Sequence, residues 1–281
     1  MFPPPYPSET FADYVVFAFH QSGECSYELL TKSRGVAANI AVFAFELIMY
    51  PLARQIGHRG LAAHAPENTL AGIRCAHKNG FKWVEFDVRL SADNVAVLSH
   101  DASLSRCGGI DARIHKTTAA RLAALPVNCG FDNVREGVPS LAATFDLLRE
   151  LKMGAVVEIK PQNGEQTAAA IAELLPQAPS KIMVSSFSMA ALLEARKLMP
   201  NIARAVNCNL PDGGVMDMLT EAAADNLHCG VNSGRTIIQK VAAAGYGVYC
   251  FTADDDKTAN PLFTAGAHGV FTNTGVSGEV N

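Results

Sequence analysis

From residue 54 to the C-terminus, short apolar runs alternate with alanine-rich helical patterns. The candidate strands are 55–58, 82–88, 154–159, 181–185, 203–207, 226–231, 247–251 and 269–272. Helical stretches fall between them at 68–79, 140–152, 165–175, 188–198, 213–223, 234–244 and 256–265. Strands that alternate with helices at this spacing pair in parallel, because each helix carries the chain back across the sheet. Eight such units in roughly 225 residues predict a (β/α)8 TIM barrel near its usual size. A doubly wound open sheet is the competing architecture. Its nucleotide-binding form expects a glycine-rich GxGxxG turn after the first strand, and the sequence has none there. The barrel is therefore assigned to residues 54–281, and residues 1–53 form an N-terminal extension.

One stretch breaks the repeat. Residues 82–88 and 95–99 are two strand-like runs around Ala92-Asp93-Asn94, with no room for a helix between them. They predict a β-hairpin after the second strand. A turn near residue 93 brings His100 opposite Phe86, beside Asp87. Residues 102–139, rich in Gly, Asn and Arg, then form an irregular insertion suited to walling the barrel mouth.

Composition narrows the function classes. Apolar residues make up 49% of the chain and charged ones 18%, enough for a large core and too apolar for global disorder. A formal net charge of −4 provides no basic field, so nucleic acid is not an expected partner. The seven cysteines are scattered, odd in number and lack a CxxC pair, which predicts reduced buried thiols and a cytoplasmic location. The apolar run at 35–53, interrupted by Glu46, leaves three readings open. It is a membrane anchor, a peripheral helix packed on the domain, or part of a non-native leader with translation starting at Met49. A spanning helix needs about 20 apolar residues, and a central carboxylate costs it a few kcal/mol, so membrane association is not the main expectation.

The chemistry lies in polar residues on strands that otherwise read as buried, where charge is expensive unless paired or bound to a metal. Glu85 and Asp87 are two apart on a strand, so they share a face. In a barrel this is the interior, at the strand's C-terminal end, where such folds place their sites. Two adjacent carboxylates repel, and a hard divalent cation, Mg²⁺ or Ca²⁺, resolves the conflict through oxygen ligands. Glu158 and Lys160 share a face in the same way, making Glu158 a third candidate ligand and Lys160 a phosphate contact or simply its ion-pair partner. His58 ends the first strand and is followed by Arg59, whose planar fork suits phosphate. His58 and His100 are the candidate acid–base pair. Glu67, after Pro66, either serves helix initiation as an acid in the first turn or has one of two functional roles: a metal ligand, or the group that holds Arg59.

These residues resemble the glycerophosphodiester phosphodiesterase family, and its cytosolic bacterial form most closely. His58-Arg59-Gly60, Pro66-Glu67-Asn68-Thr69, Glu85-Phe86-Asp87, His100-Asp101, Glu158-Ile159-Lys160 and Ser185-Ser186-Phe187 stand in that family's order and spacing. The resemblance implies a (β/α)8 barrel that hydrolyses glycerophosphodiesters to glycerol 3-phosphate and an alcohol. It implies a divalent metal on Glu85, Asp87 and Glu158, with Glu67 as a further candidate. It also implies His58 and His100 as acid and base, with Arg59 and Lys160 at the phosphate. The nucleophile is water, or first the glycerol 2-hydroxyl through a cyclic phosphate. Two positions depart from the family pattern. A Trp-Thr-Val-Asn-like run is here Phe251-Thr252-Ala253-Asp254, with Phe251 kept as an aromatic substrate wall. A terminal Thr-Asp is here Thr272-Asn273. The competing functions are a phospholipase-like phosphodiesterase of the same superfamily and a non-catalytic barrel that binds a phosphorylated ligand.

Overall fold

The computed structural model of the chain describes residues 15–21, 24–30, 52–132 and 136–278. The chain separates into two units, Met1–Leu47 and Ile48–Asn281. In the first, strands β1 (Val15–Gln21) and β2 (Glu24–Leu30) pair antiparallel, Val15 opposite Leu30 and Gln21 opposite Glu24. Met49 and nearly all of segment 35–53, with the choice among its three readings, lie outside the described residues.

The second unit contains strands β3 (Gln55–Gly57), β4 (Trp83–Leu90), β5 (Ala96–Leu98), β6 (Gly154–Ile159), β7 (Ile182–Ser186), β8 (Ala203–Cys208), β9 (Asn226–Gly230), β10 (Gly247–Phe251) and β11 (Gly269–Thr272). Eight of them, all but β5, pair in parallel around a closed ring, with β11 joined to β3 and β3 to β4. The ring is the TIM barrel expected from the sequence, and the open-sheet alternative is excluded by its closure. The long strand β4 serves three neighbours, with β6 paired along it from Trp83 to Val88. Val84 meets Gly57 of β3, while Val88–Leu90 pair antiparallel with β5. This is the expected hairpin, and Ser99 N–H donates to Asp87 O at 3.0 Å, which seats His100 beside the carboxylates.

Helices α1 (Leu70–Lys78), α2 (Ser105–Gly108), α3 (Ala119–Ala123), α4 (Leu141–Leu151), α5 (Gly164–Leu174), α6 (Met189–Leu198), α7 (Val215–Ala222), α8 (Arg235–Ala243) and α9 (Asp256–Thr264) complete the order. Several begin with a side-chain cap. Thr69 accepts from Gly72 N–H at 3.0 Å, Ser188 from Ala191 N–H at 3.3 Å and Asp255 from Thr258 N–H at 2.7 Å. Such caps satisfy orphan helix donors and fix where each loop turns over the barrel mouth.

Strand alternation sorts the barrel interior by height. Low inward positions are apolar: Ile56, Trp83, Val156, Met183, Ala205, Tyr249 and Phe271 form one buried cluster. One or two steps further along the same strands the polar set begins, with His58, Glu85, Asp87, Glu158, Ser185, Asn207 and His228. The outward positions, such as Val84, Phe86, Val157 and Val184, pack beneath the helices.

The insertion after the hairpin is less irregular than expected. It carries α2, a 3-10 turn at Ile114–Lys116 and α3 around its own small core of Leu104, Ile114, Leu122, Val127 and Val138. It also corrects the cysteine reading, because Cys107 and Cys129 are joined as a disulfide. Backbone bonds from Asn128 and Cys129 N–H to Cys107 O, both 2.9 Å, bring the two together across 22 residues, a proximity that linear spacing does not reveal. Cys75, Cys208, Cys229 and Cys250 are free thiols.

Candidate active site

The loop after β3 is the tightest part of the site. Arg59 and Gly60 both take positive φ, 53° and 91°, so the chain doubles back and lays the Gly60 carbonyl over Gly57. A Cβ at Gly57 would strike that oxygen, and only glycine fits. The reversal aims Arg59 N–H at Glu85 Oε2, 3.0 Å away, and stands His58 at the rim of the barrel.

Three carboxylates meet inside. Glu85 and Asp87 alternate on β4, and the parallel register places Asp87 directly beside Glu158 of β6. Each of the three contributes an oxygen within 4.8 Å of the others. Lys160 Nζ bridges Asp87 Oδ1 at 3.0 Å and Glu158 Oε1 at 2.6 Å, so the ion-pair role read from the sequence is occupied here. Asn68 grips Asp87 twice: its amide donates to Oδ2 at 2.8 Å and its oxygen accepts from Asp87 N–H at 2.9 Å. Asn207 donates to Glu158 Oε2 at 3.1 Å. Glu85 Oε1 and Asn207 Oδ1 are buried without a hydrogen-bond partner.

Electrostatics divide the trio. Burial, reinforced by Asp87 and Glu158, pushes Glu85 well above the ordinary carboxylate range. Burial and then Asp87 push Glu158 up to about 7, despite Lys160. Burial acts on Asp87 too, but Lys160 and Arg59 outweigh it and hold this carboxyl down at about 2. Burial and mutual repulsion thus shift two of the three acids, Glu85 and Glu158, toward the protonated form.

A second layer of charge ties the mouth together. Arg59 Nη1 donates to Glu67 Oε1 at 3.0 Å, and its Nε stands 3.5 Å from Asp87 Oδ2. Arg106 of α2 forks onto Glu67, Nη1 to Oε2 at 2.8 Å and Nη2 to Oε1 at 2.7 Å, while its Nε donates to Asp101 Oδ2 at 2.7 Å. Asp101 Oδ1 in turn holds His100 Nδ1 at 2.8 Å. Both oxygens of Glu67 are therefore engaged by arginines, and it stands apart from the three-acid cluster. Burial opposes ionisation of Glu67, but Arg106 and Arg59 hold it below its ordinary range.

His58 Nδ1 lies 2.8 Å from Asn273 Oδ1, and its Nε2 is 3.9 Å from Glu85 Oε2. Burial, then Arg59, lowers its basicity. The two departures from the family pattern meet here: Asn273 Nδ2 donates to Asp254 Oδ2 at 2.8 Å. Phe251 packs edge-to-face on Phe187 with centroids 5.9 Å apart.

All of this surrounds one cavity of about 420 Å³, within the range of small-ligand sites. It is lined by His58, Arg59, Glu85, Asp87, His100, Glu158, Lys160 and Phe251, so every candidate residue except Glu67 borders it. Asn68, Arg106 and Asn207 carry no assigned role in the sequence reading, nor does His228, which also lines the cavity. Asn226 and His228 alternate on β9 as Glu85 and Asp87 do on β4, which is the signal that marks His228 as inward.

Residues 58–275 match the model of the glycerophosphoryl diester phosphodiesterase family. A phosphodiesterase of Oleispira antarctica, whose structure is a complex with the product sn-glycerol 3-phosphate, is 35% identical, with a TM-score of 0.77, over 80% of this chain and 95% of that one. The glycerophosphodiester phosphodiesterase of Caldanaerobacter subterraneus is 25% identical over 77% of this chain and 92% of its own length. The Thermotoga maritima glycerophosphodiester phosphodiesterase, 24% identical with a TM-score of 0.64, shares the fold.

Proposed function

Because the chain belongs to the glycerophosphoryl diester phosphodiesterase family, we propose that it hydrolyses glycerophosphodiesters to sn-glycerol 3-phosphate and an alcohol, using His58 and His100 for proton transfer beside a divalent cation. The observation that carries this reading is the convergence of three buried carboxylates, two imidazoles, Arg59 and Lys160 on one cavity.

The residues fit a cation. Glu85 Oε1 is buried and unpartnered, and two of the three acids are driven toward the neutral form by burial and by one another's charge. Glu85, Asp87 and Glu158 would hold Mg²⁺ or Ca²⁺, both of which prefer oxygen ligands. Such an ion, when bound, supplies Lewis-acid neutralisation of a phosphoryl oxygen. Glu67 is assigned the other functional role read for it, holding Arg59.

The protein's own groups account for the rest. Arg59, braced by Glu67, presents its guanidinium to the cavity and suits a phosphodiester anion. Lys160 adds a second positive charge at the floor of the site. One histidine accepts the proton of the attacking hydroxyl, from water or from the glycerol 2-position, and the other protonates the departing alkoxide. Each such transfer contributes typically about 10²–10⁴-fold. Asp101 orients His100 and Asn273 orients His58. The Phe187–Phe251 pair provides an apolar wall for substrate carbon.

No helix among the described residues is long and apolar enough to cross a membrane. The cytoplasmic location rests on the sequence reading, and the Cys107–Cys129 disulfide argues instead for oxidising surroundings. Release of glycerol 3-phosphate from glycerophosphoethanolamine, with and without EDTA, tests the function. Turnover abolished by chelation and restored by Mg²⁺ or Ca²⁺ is the expected result. Activity indifferent to EDTA removes the metal assignment, and no activity on any glycerophosphodiester favours a ligand-binding barrel.

A further inference from the structure

We propose that Asp254 is a positioning residue that determines, through Asn273, which nitrogen of His58 presents its lone pair to the cavity. The inference rests on the reading of His58 as a proton-transfer group. The three residues follow adjacent strands: Asp254 lies after β10, Asn273 after β11 and His58 after β3. Neither Asp254 nor Asn273 lines the cavity, so the chain acts on the imidazole from behind.

The logic is one of donors and acceptors. A carboxylate only accepts hydrogen bonds. Asp254 accepts two from Asn273, the backbone N–H on Oδ1 at 2.6 Å and the side-chain amide on Oδ2 at 2.8 Å. Thr272 Oγ1 adds a contact to Oδ1 at 3.3 Å, and Thr274 Oγ1 donates to the Asp254 carbonyl at 2.8 Å, which holds the two loops together. The amide nitrogen of Asn273 is thereby pinned to Asp254, and its oxygen must face the other way, 2.8 Å from His58 Nδ1. An amide oxygen accepts only, so the proton of the neutral ring sits on Nδ1. The lone pair is left on Nε2, the nitrogen on the side of Glu85. Tautomer control of this kind depends on the partner of the second ring nitrogen.

The arrangement predicts a switch. In Asp254→Asn the new side chain has one acceptor and one donor group. If its oxygen stays on the backbone N–H of Asn273, its NH₂ group confronts the NH₂ of Asn273. The Asn273 amide then turns over, offers its NH₂ to His58 Nδ1 and forces the proton onto Nε2. Adding Asn273→Asp repairs this, because the new carboxylate accepts both from the amide introduced at position 254 and from His58 Nδ1–H.

Histidine ¹⁵N NMR of the full chain with Mg²⁺, at a pH where the ring is neutral and with His58→Asn as the assignment control, reads the tautomer directly. Wild type is expected to be protonated on Nδ1. D254N is expected to be protonated on Nε2, with kcat lower by about 10²-fold, the scale of one proton-transfer contribution, and KM little changed. D254N/N273D is expected to recover the Nδ1–H form and most of kcat. An Nε2–H ring in wild type overturns the inference without any variant. So does D254N with wild-type tautomer and turnover, or a double exchange that restores neither. A wild-type protein with no hydrolase activity, or His58→Asn with full turnover, defeats the proton-transfer reading instead and leaves the tautomer result standing.

Discussion

Acidification should weaken the affinity for the divalent cation in a defined window. Glu158 is pushed from 4.5 up to about 7, and Glu85 is raised well above its ordinary range. Below about pH 7 the cluster therefore holds protons that an incoming cation must displace. Each displaced proton costs about tenfold in apparent affinity per pH unit. Titrating Mg²⁺ or Ca²⁺ calorimetrically between pH 8 and 5, in two buffers of different ionisation enthalpy, measures affinity and proton release together. The expected result is a loss of about tenfold per unit below pH 7 for the Glu158 proton, and a steeper loss wherever Glu85 also releases one. Glu158→Gln should bind more weakly and release one proton fewer. The stability of the metal-free protein follows with the sign worked out. Glu158 has its folded value above its unfolded one, so the folded state binds more protons between about 4.5 and about 7, and stability falls as pH rises through that interval. The full effect is about 3 kcal/mol, and saturating metal should cancel it. Asp87, held down at about 2, acts oppositely: its contribution is present above 3.8 and is lost as pH falls toward 2. A metal affinity that stays flat from pH 7 to 5, with no proton release, would refute the shared-proton account of the acid cluster.

Three further outcomes follow from the geometry. His100→Ala should lower kcat by about 10²–10⁴-fold while leaving the melting temperature nearly unchanged, because the ring is only partly buried; turnover by stopped assay and a thermal melt check both halves. Arg106→Met releases both Glu67 and Asp101, and should cost about fivefold in kcat/KM, the effect of about 1 kcal/mol for a half-exposed ion pair. Cys107→Ser opens a link between residues 22 apart, and should lower the urea-unfolding free energy by about 3 kcal/mol, with wild type in reductant showing the same loss.

The fold was largely legible because strands buried on both faces and helices with one apolar stripe write different periods into a sequence. All eight barrel strands and the seven helices read between them are present, with ends shifted by a few residues where caps decide the boundary. The inward direction of Glu85, Asp87 and Glu158 was equally legible, from alternation alone. Their meeting was not, since it depends on the lateral register that sets Asp87 beside Glu158, and register is a property of the closed ring. The same holds for the supporting residues. Asn68 reaches Asp87 only because it sits at φ 56°, in the turn that leads into α1. Arg106 finds Glu67 across 39 residues, and Asn207 finds Glu158 across 49, with no periodic signal to connect them. The paired cysteines escaped notice for the same reason, and their scattered spacing pointed the other way.

The layering of the barrel also dictates traffic. Ile56, Trp83, Met183, Tyr249 and Phe271 pack shut beneath the ionic groups, so the reaction chamber has its floor sealed by hydrocarbon and aromatic rings. Substrate must descend through the same opening by which both fragments depart. Whichever half of the cleaved diester lies deeper has to wait for the other, and under the proposed roles of Arg59 and Lys160 the anionic half is the one placed to leave last.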